Sequence, residues 1–225
     1  MAKVNLGLSA LLAAVAFAGC SGDASDETLQ GETAPNIVQP GAPGEPSRTL
    51  TPEELATIEP PDHTEEDVAF VQGMIHHHAQ ALRMTSLVRK RSTWSDLEQL
   101  ALRMDASQET EIEQMRSWLE LRDADAPELH RAHGHAHGVG QGRMPGMLTE
   151  AQMTRLTRAK GMAFDRLFLR FMIEHHRGAV TMVSRLYDAN AGVEPEVDAL
   201  ARHIDSDQLI EIGRMERMQA ELDAR

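Results

Sequence analysis

Residues 67–84 read DVAFVQGMIHHHAQALRM, and residues 165–182 read DRLFLRFMIEHHRGAVTM. On a helical wheel with about 100° per residue, the aspartate, phenylalanine, methionine and paired histidines of each stretch share one broad face. Helix-start signals precede both stretches, at residues 64–67 (TEED) and 149–152 (TEAQ). The sequence therefore predicts two long helices, each of which turns two adjacent histidines inward.

The two stretches belong to an internal repeat. A shift of 98 residues places Asp67, Phe70, Met74, Ile75, His77, His78, Ala81 and Met84 on Asp165, Phe168, Met172, Ile173, His175, His176, Ala179 and Met182. A shift of 100 residues places Leu100, Ala101, Asp105, Gln108, Glu111, Ile112 and Met115 on Leu200, Ala201, Asp205, Gln208, Glu211, Ile212 and Met215. Two helix hairpins of common origin, packed face to face about a pseudo-two-fold axis, are the simplest explanation.

The hydrophobic periodicity of the rest of the chain predicts an all-α fold. Helices are expected from about residue 64 to 89, 94 to 122, 149 to 187 and 195 to the end, with a loop over 123–147. Gly161 marks a candidate break in the third helix, and Pro195 suits a first helical position. No stretch alternates like a strand, so the domain is expected to be a four-helix bundle built from two repeated hairpins.

The N-terminal sequence predicts export. Residues 1–19 combine a basic start with an apolar stretch, as in a signal peptide, and small residues stand directly before Cys20. We expect cleavage before Cys20 and lipidation of its side chain, with an ordinary signal peptide or a retained short anchor as alternatives. Seven of the ten prolines fall within 20–61, which predicts a disordered linker, and residues 62–225 form the predicted metal-binding domain.

Composition narrows the function. The chain carries 35 Asp and Glu against 22 Lys and Arg, which argues against a nucleic-acid partner. Cys20 is the only cysteine, so the predicted domain has no thiolate to offer a metal. The whole chain has instead 13 methionines and 11 histidines, many of them on the predicted inner faces.

The inner faces predict a soft-metal site. Ferritin-like di-iron proteins use Glu-x-x-His pairs, whereas this chain has Met-x-x-His at residues 74–77 and 172–175. Thioethers select Cu(I), or the chemically similar Ag(I), over harder ions. The predicted ligands are Met74, His77, His78, Met84, Met172, His175, His176 and Met182.

Carboxylates and amides on the other two helices are predicted to support the histidines. A histidine that binds metal commonly donates its second ring N–H to such a group. The predicted supporting residues are Asp105, Gln108, Glu111, Asp205, Gln208 and Glu211. An auxiliary metal site is predicted in the connecting loop, from His130, His133, His135, His137, Met144 and Met147.

Three motifs carry a family resemblance. FVQGMIHHH at 70–78, FDRLFLRFMIEHHRGAV at 164–180 and MPGMLT at 144–149 resemble the bacterial "domain of unknown function 305" family. The resemblance runs from about Asp62 to the last helix. It implies an exported, ferritin-like four-helix bundle, and for the members with an assigned role it implies periplasmic copper or silver binding and resistance.

The sequence therefore favours an exported copper-binding protein of the periplasm or cell envelope, active in buffering, delivery or resistance rather than catalysis. Cu(I) is the preferred ion and Ag(I) the alternative. The expected partners are the metal ion and the membrane through Cys20, and a second copy of the chain or a copper-trafficking protein stays open. A redox metalloenzyme and a metal-free envelope interaction module are the competing hypotheses.

Overall fold

A computed structural model describes residues 37–58, 61–128 and 144–224. The chain divides into two compact units, with the boundary after Ile58. In the first unit, strands β1 (Val38–Gln39) and β2 (Arg48–Thr49) form an antiparallel pair, followed by the short helix α1 (Pro52–Ala56). The segment predicted to be a linker thus contains three short elements in its described part. Residues 1–19 and Cys20 lie outside the described residues, so the signal peptide and the lipid anchor stay predictions.

Every regular element among the described residues of the second unit is a helix, which confirms the predicted all-α fold. They are α2 (Glu65–Arg91), α3 (Ser95–Glu120), α4 (Glu150–Arg158), α5 (Gly161–Asp188) and α6 (Pro195–Asp223). Helix α2 packs on α3 and on α5, α5 packs on α6, and a smaller contact joins α3 to α6. The α2–α5 contact brings the two repeated stretches against each other.

The helix ends follow the local sequence. Both predicted start boxes form, because Thr64 and Thr149 each accept a hydrogen bond from the backbone N–H three residues later. The side chains of Asp67 and Gln152 in turn accept one from the backbone N–H of the capping threonine. The predicted break is also present, since α4 ends at Arg158 and Gly161 begins α5 with a φ of +55°. That φ lies in the left-handed region, where glycine carries no steric penalty.

Two buried apolar clusters fill the space between the helices. One contains Met84, Met172 and Met215, and the other contains Met74 and Met115 with Met182 packed against it. Each cluster therefore draws methionines from both repeated segments rather than from one. Methionine is flexible enough to fill irregular gaps between helices, which accounts for a described core with only four phenylalanines.

The end of the connection before α4 lies against α2 and α5. The side chain of Gln80 donates to the Leu148 carbonyl at 3.1 Å and accepts from the Leu148 N–H at 2.7 Å. Gly146 has a φ of +74°, and a Cβ there would lie 2.7 Å from the carbonyl oxygens of Glu174 and His175. The approach is tighter still at Gly178, where a Cβ would lie 2.2 Å from the Pro145 carbonyl oxygen. Glycines on both surfaces thus allow the connection to sit directly on α5.

None of the helices in the described ranges is long and apolar enough to cross a membrane.

Substituting Gly178 with alanine should lower the free energy of unfolding by about 1–3 kcal/mol, because the new methyl group displaces the Pro145 backbone. Gly213→Ala in α6 is the matched control, since a Cβ there meets only the end of the Arg217 side chain at 3.6 Å. That change should stabilise the helix by up to about 1 kcal/mol. Urea denaturation of both variants measures the difference, and equal stabilities would contradict the close packing of the connection.

Candidate metal centre

Four histidines form an array between α2 and α5. His77 and His78 project from α2, His175 and His176 project from α5, and each is at most 1% exposed. The ring centroids of His77 and His175 lie 3.8 Å apart with the rings inclined by 37°, and those of His175 and His176 lie 6.2 Å apart. The structure thus brings the two predicted pairs together inside the protein.

Three of these imidazoles are oriented by acceptors on other elements. The Nε2 atom of His78 donates to Glu111 Oε2 on α3, and that of His176 donates to Glu211 Oε2 on α6, both at 2.6 Å. His77 Nε2 donates to the Pro145 carbonyl oxygen at 3.0 Å. A neutral imidazole that donates through Nε2 keeps its lone pair on Nδ1. This is the arrangement in which outer groups orient a metal-binding histidine.

Several ring nitrogens in the array have no hydrogen-bond partner. They are Nδ1 of His78, Nδ1 of His176 and both nitrogens of His175, judged against the described residues. Buried polar atoms are rarely left without a partner in folded proteins, and each such atom is destabilising. Unpaired imidazole nitrogens in one buried cluster are suitable ligand atoms for a metal ion, so the array fits the predicted site.

Burial keeps two of the histidines neutral. Loss of solvent and, to a smaller extent, the neighbouring His78 together lower the pKa of His77 to about 3, against an opposing effect of the hydrogen bond with the Pro145 carbonyl. The pKa of His175 lies well below its ordinary value, first because of burial and then because of His77 and the other two imidazoles. The His77 backbone opposes this in part, because it lies near the ring without making a hydrogen bond of acceptable geometry. Metal binding requires the neutral imidazole, so these side chains are in the binding form without having to release a proton.

The predicted methionine ligands lie in the surrounding core. Met74, Met84 and Met172 are completely buried, and Met182 is half-buried. A Cβ placed on Gly73, one helical turn before His77, would lie 3.3 Å from Met182 Cε and 3.6 Å from Met144 Sδ. Met144 and Met182 therefore converge on the same point of α2, and the Met147 N–H donates to the Met144 carbonyl in the same turn. Direct ligation by any methionine stays a prediction.

The predicted supporting residues divide into two groups. Glu111 and Glu211 contact histidines, as described above. Asp105 accepts a hydrogen bond from Thr85 rather than from a histidine, and Gln108 and Gln208 are buried at 1% exposure, with Oε1 of Gln108 unpaired among the described residues. Asp205 is half-buried. For these four residues a supporting role stays a prediction.

Part of the predicted auxiliary site is outside the described residues. His130, His133, His135 and His137 fall in the interval between residues 128 and 144. Met144 and Met147 are described, and the Met144 sulfur lies near Gly73, one helical turn before His77.

Sequence reasoning missed the Pro145 carbonyl and the Gln80 side chain. Pro145 orients His77, and Gln80 holds the connection that carries Pro145. The signal was present in the compact Met-Pro-Gly-Met motif, in which proline and glycine favour a turn. Nothing local in the sequence indicated which histidine that turn would meet.

The fold and the site define a predominantly helical protein with a buried array of four histidines, three of which are oriented by hydrogen bonds. The chain matches the family described as Domain of unknown function (DUF305) over residues 67–219 and belongs to that family. A DUF305 fragment from Deinococcus radiodurans is 35% identical with a TM-score of 0.62, and the match covers 72% of this chain and 99% of that one. A DUF305 protein from Streptomyces coelicolor, provisionally described as secreted, is 29% identical with a TM-score of 0.61, covering 70% and 92%.

The chain is also similar to CopM, a protein solved in Cu(II)-bound, Cu(I)-bound, silver-bound and apo forms. The Cu(I)-bound structure is 28% identical with a TM-score of 0.54, and the match covers 69% of this chain and 96% of CopM. The comparison with curated proteins finds no match.

Acid should destabilise the metal-free protein through these histidines. The unfolded chain binds a proton near the ordinary pKa of 6.5, whereas folded His77 does so only near 3. Stability from this group is therefore fully present above pH 6.5 and is lost as the pH falls toward 3, by about 1.4 kcal/mol per pH unit at most. Urea denaturation of metal-free protein from pH 7 to pH 4.5 measures this slope.

The comparison variant is His77→Gln, whose amide can still donate to Pro145 but does not titrate. The free energy of unfolding of this variant should fall less steeply as the pH is lowered. The difference between the two slopes should correspond to roughly one proton taken up on unfolding. Carboxylates contribute equally to both proteins and cancel in the difference. Identical slopes would contradict a depressed pKa at His77.

Proposed function

We propose that the protein binds copper as Cu(I), with Ag(I) as an alternative, through the buried histidine array and the methionines around it. The observation that carries this proposal is the set of unpaired, buried imidazole nitrogens on His78, His175 and His176. Two of these rings, His78 and His176, are each held by a carboxylate on the opposite nitrogen, so the free nitrogen is fixed in direction.

The type of ligand supports a soft ion. Imidazole binds several late transition metals, but thioethers discriminate in favour of Cu(I) and Ag(I). Met74, Met172 and Met84 are buried within the clusters on either side of the array, and Met182 and Met144 meet at Gly73. The similarity to CopM, which is solved with copper and with silver, points to the same pair of ions.

The proposed role is buffering, delivery or resistance in the cell envelope, with the protein exported and anchored through a lipid on Cys20. Support for export comes from the apolar N-terminal sequence and from the relative described provisionally as secreted. A lipid anchor would keep a copper-binding domain close to the membrane, with residues 20–61 as the connection.

The competing hypotheses make different demands on the array. A metal-free interaction module requires every inward histidine to be satisfied by the protein, and His175 has neither ring nitrogen paired within the described ranges. A redox metalloenzyme would use Glu111 or Glu211 to move protons, and a turnover assay with copper-loaded and iron-loaded protein separates it from a binding protein.

Replacing His77, His78, His175 and His176 with alanine should weaken Cu(I) binding by about 100-fold or more, because the oriented nitrogen ligands are lost. Competition against a chromophoric Cu(I) chelator, with elemental analysis of the dialysed protein, measures the affinity. His63→Ala is the matched control, since His63 is exposed and packs on Trp118 outside the array. Unchanged Cu(I) affinity in the folded quadruple variant would rule out the array as the site.

Replacing Met74 and Met172 with leucine should weaken Cu(I) at least about tenfold while changing Zn(II) little, because leucine preserves the volume and removes the soft sulfur. This variant retains all four histidines and should keep the fold. Parallel titrations with Cu(I) and Zn(II) provide the test. Equal losses for the two metals would remove the thioether part of the proposal.

A further inference from the structure

A second group of metal-binding side chains lies between α3 and α6, outside the histidine array. Glu111 of α3 and His203 and Asp207 of α6 each offer one ligand atom, and the three atoms lie within 4.8 Å of one another. His203 and Asp207 are one helical turn apart, with His203 Nε2 at 3.6 Å from Asp207 Oδ2. Residues at this spacing share one face of a helix and can bind the same ion.

Glu111 distinguishes this group from an ordinary surface ion pair. Its side chain is only 2% exposed, and Oε2 accepts the hydrogen bond from His78. Its other oxygen, Oε1, has no hydrogen-bond partner in residues 37–58, 61–128 and 144–224. A buried carboxylate oxygen without a partner is strongly unfavourable, and a bound cation would satisfy it.

The other two residues open the group to solvent. His203 is exposed and Asp207 is half-exposed, so an ion can reach the group from outside while Glu111 lies at its inner end. Ser107 donates to Asp207 Oδ2 at 3.3 Å and steadies that carboxylate. The side of the group formed by His203 and Asp207 is thus accessible to solvent, and the side formed by Glu111 is buried in the core.

The donor atoms define the class of ion. One imidazole nitrogen and two carboxylates suit a divalent ion of borderline softness, for which Zn(II) is the representative. The group contains no sulfur, and it therefore lacks the selectivity for Cu(I) that the methionines give to the array. The two places on the protein differ in the chemistry they favour.

Comparison of the two repeats shows that Glu111 has this pair of neighbouring residues and that its counterpart Glu211 does not. The positions equivalent to His203 and Asp207 in the first repeat are Arg103 and Ser107. Glu211, the counterpart of Glu111, accordingly has no matching imidazole and carboxylate at those positions. The group was therefore not produced by duplication of the histidine site.

We propose that Glu111, His203 and Asp207 form a second metal site, which binds one divalent ion of borderline softness from solvent. Glu111 is shared, since it orients His78 toward the interior and offers its remaining oxygen to the outer ion. The proposal stands on these three residues and does not require that the array bind copper.

The experiment is a Zn(II) competition titration on the full-length protein. All variants also carry alanine at His130, His133, His135 and His137, so that the histidine-rich segment binds no Zn(II). In that background His203→Ala with Asp207→Asn should bind one Zn(II) fewer, or bind it at least about tenfold more weakly. Arg103→Ala, the equivalent surface position of the first repeat, should leave Zn(II) binding unchanged.

The result that overturns the proposal is equal Zn(II) stoichiometry and affinity with and without His203 and Asp207, or an equal loss in Arg103→Ala. Both substituted side chains lie at the surface, and Asp207→Asn alone preserves shape if the double variant unfolds in circular dichroism. Cu(I) affinity is measured on the same variants and should change less than twofold. Zn(II) loss with intact Cu(I) binding supports the second site, and Zn(II) loss without any Cu(I) binding supports it while removing the copper proposal.

Discussion

Burial of four imidazoles between two helices is the constraint on which the rest of this structure depends. A histidine removed from water still has a ring N–H that requires an acceptor. His78 finds one on α3 and His176 finds one on α6, while His77 uses the backbone of the connection at Pro145. The same pairs of contacts join α2 to α3 and α5 to α6, so satisfying the histidines also fixes how the hairpins close.

The contacts at Pro145 extend this constraint to a connecting segment. The Pro145 carbonyl faces His77 from a segment that lies directly on α5, and Gly146 and Gly178 lack the side chains that would prevent this close approach. Gln80 holds the same segment through both of its amide atoms. A well-filled core is not enough for such a site, because the positions of single backbone atoms decide which ring nitrogen stays free.

The arrangement separates soft from harder ligand atoms. Methionines occupy the apolar clusters on either side of the imidazoles, where a sulfur atom is compatible with burial. Glu111 of α3 and Glu211 of α6 contact the histidines. Glu111 also lies close to His203 and Asp207. Under the two proposals, the protein would present two ligand sets that differ in softness and share one carboxylate.

The sequence by itself determined the helices, their start boxes, the break at Gly161 and the inward faces with paired histidines, because capping and helical periodicity act over a few neighbouring residues. It also indicated Glu111 and Glu211 as histidine partners, since both lie on inner faces where a carboxylate needs a donor. Only the tertiary structure decided that Asp105 meets Thr85, that Pro145 meets His77 and that His203 and Asp207 meet Glu111. Those pairings join residues at least 20 positions apart in the chain, and their distances depend on how the helices pack rather than on any local pattern.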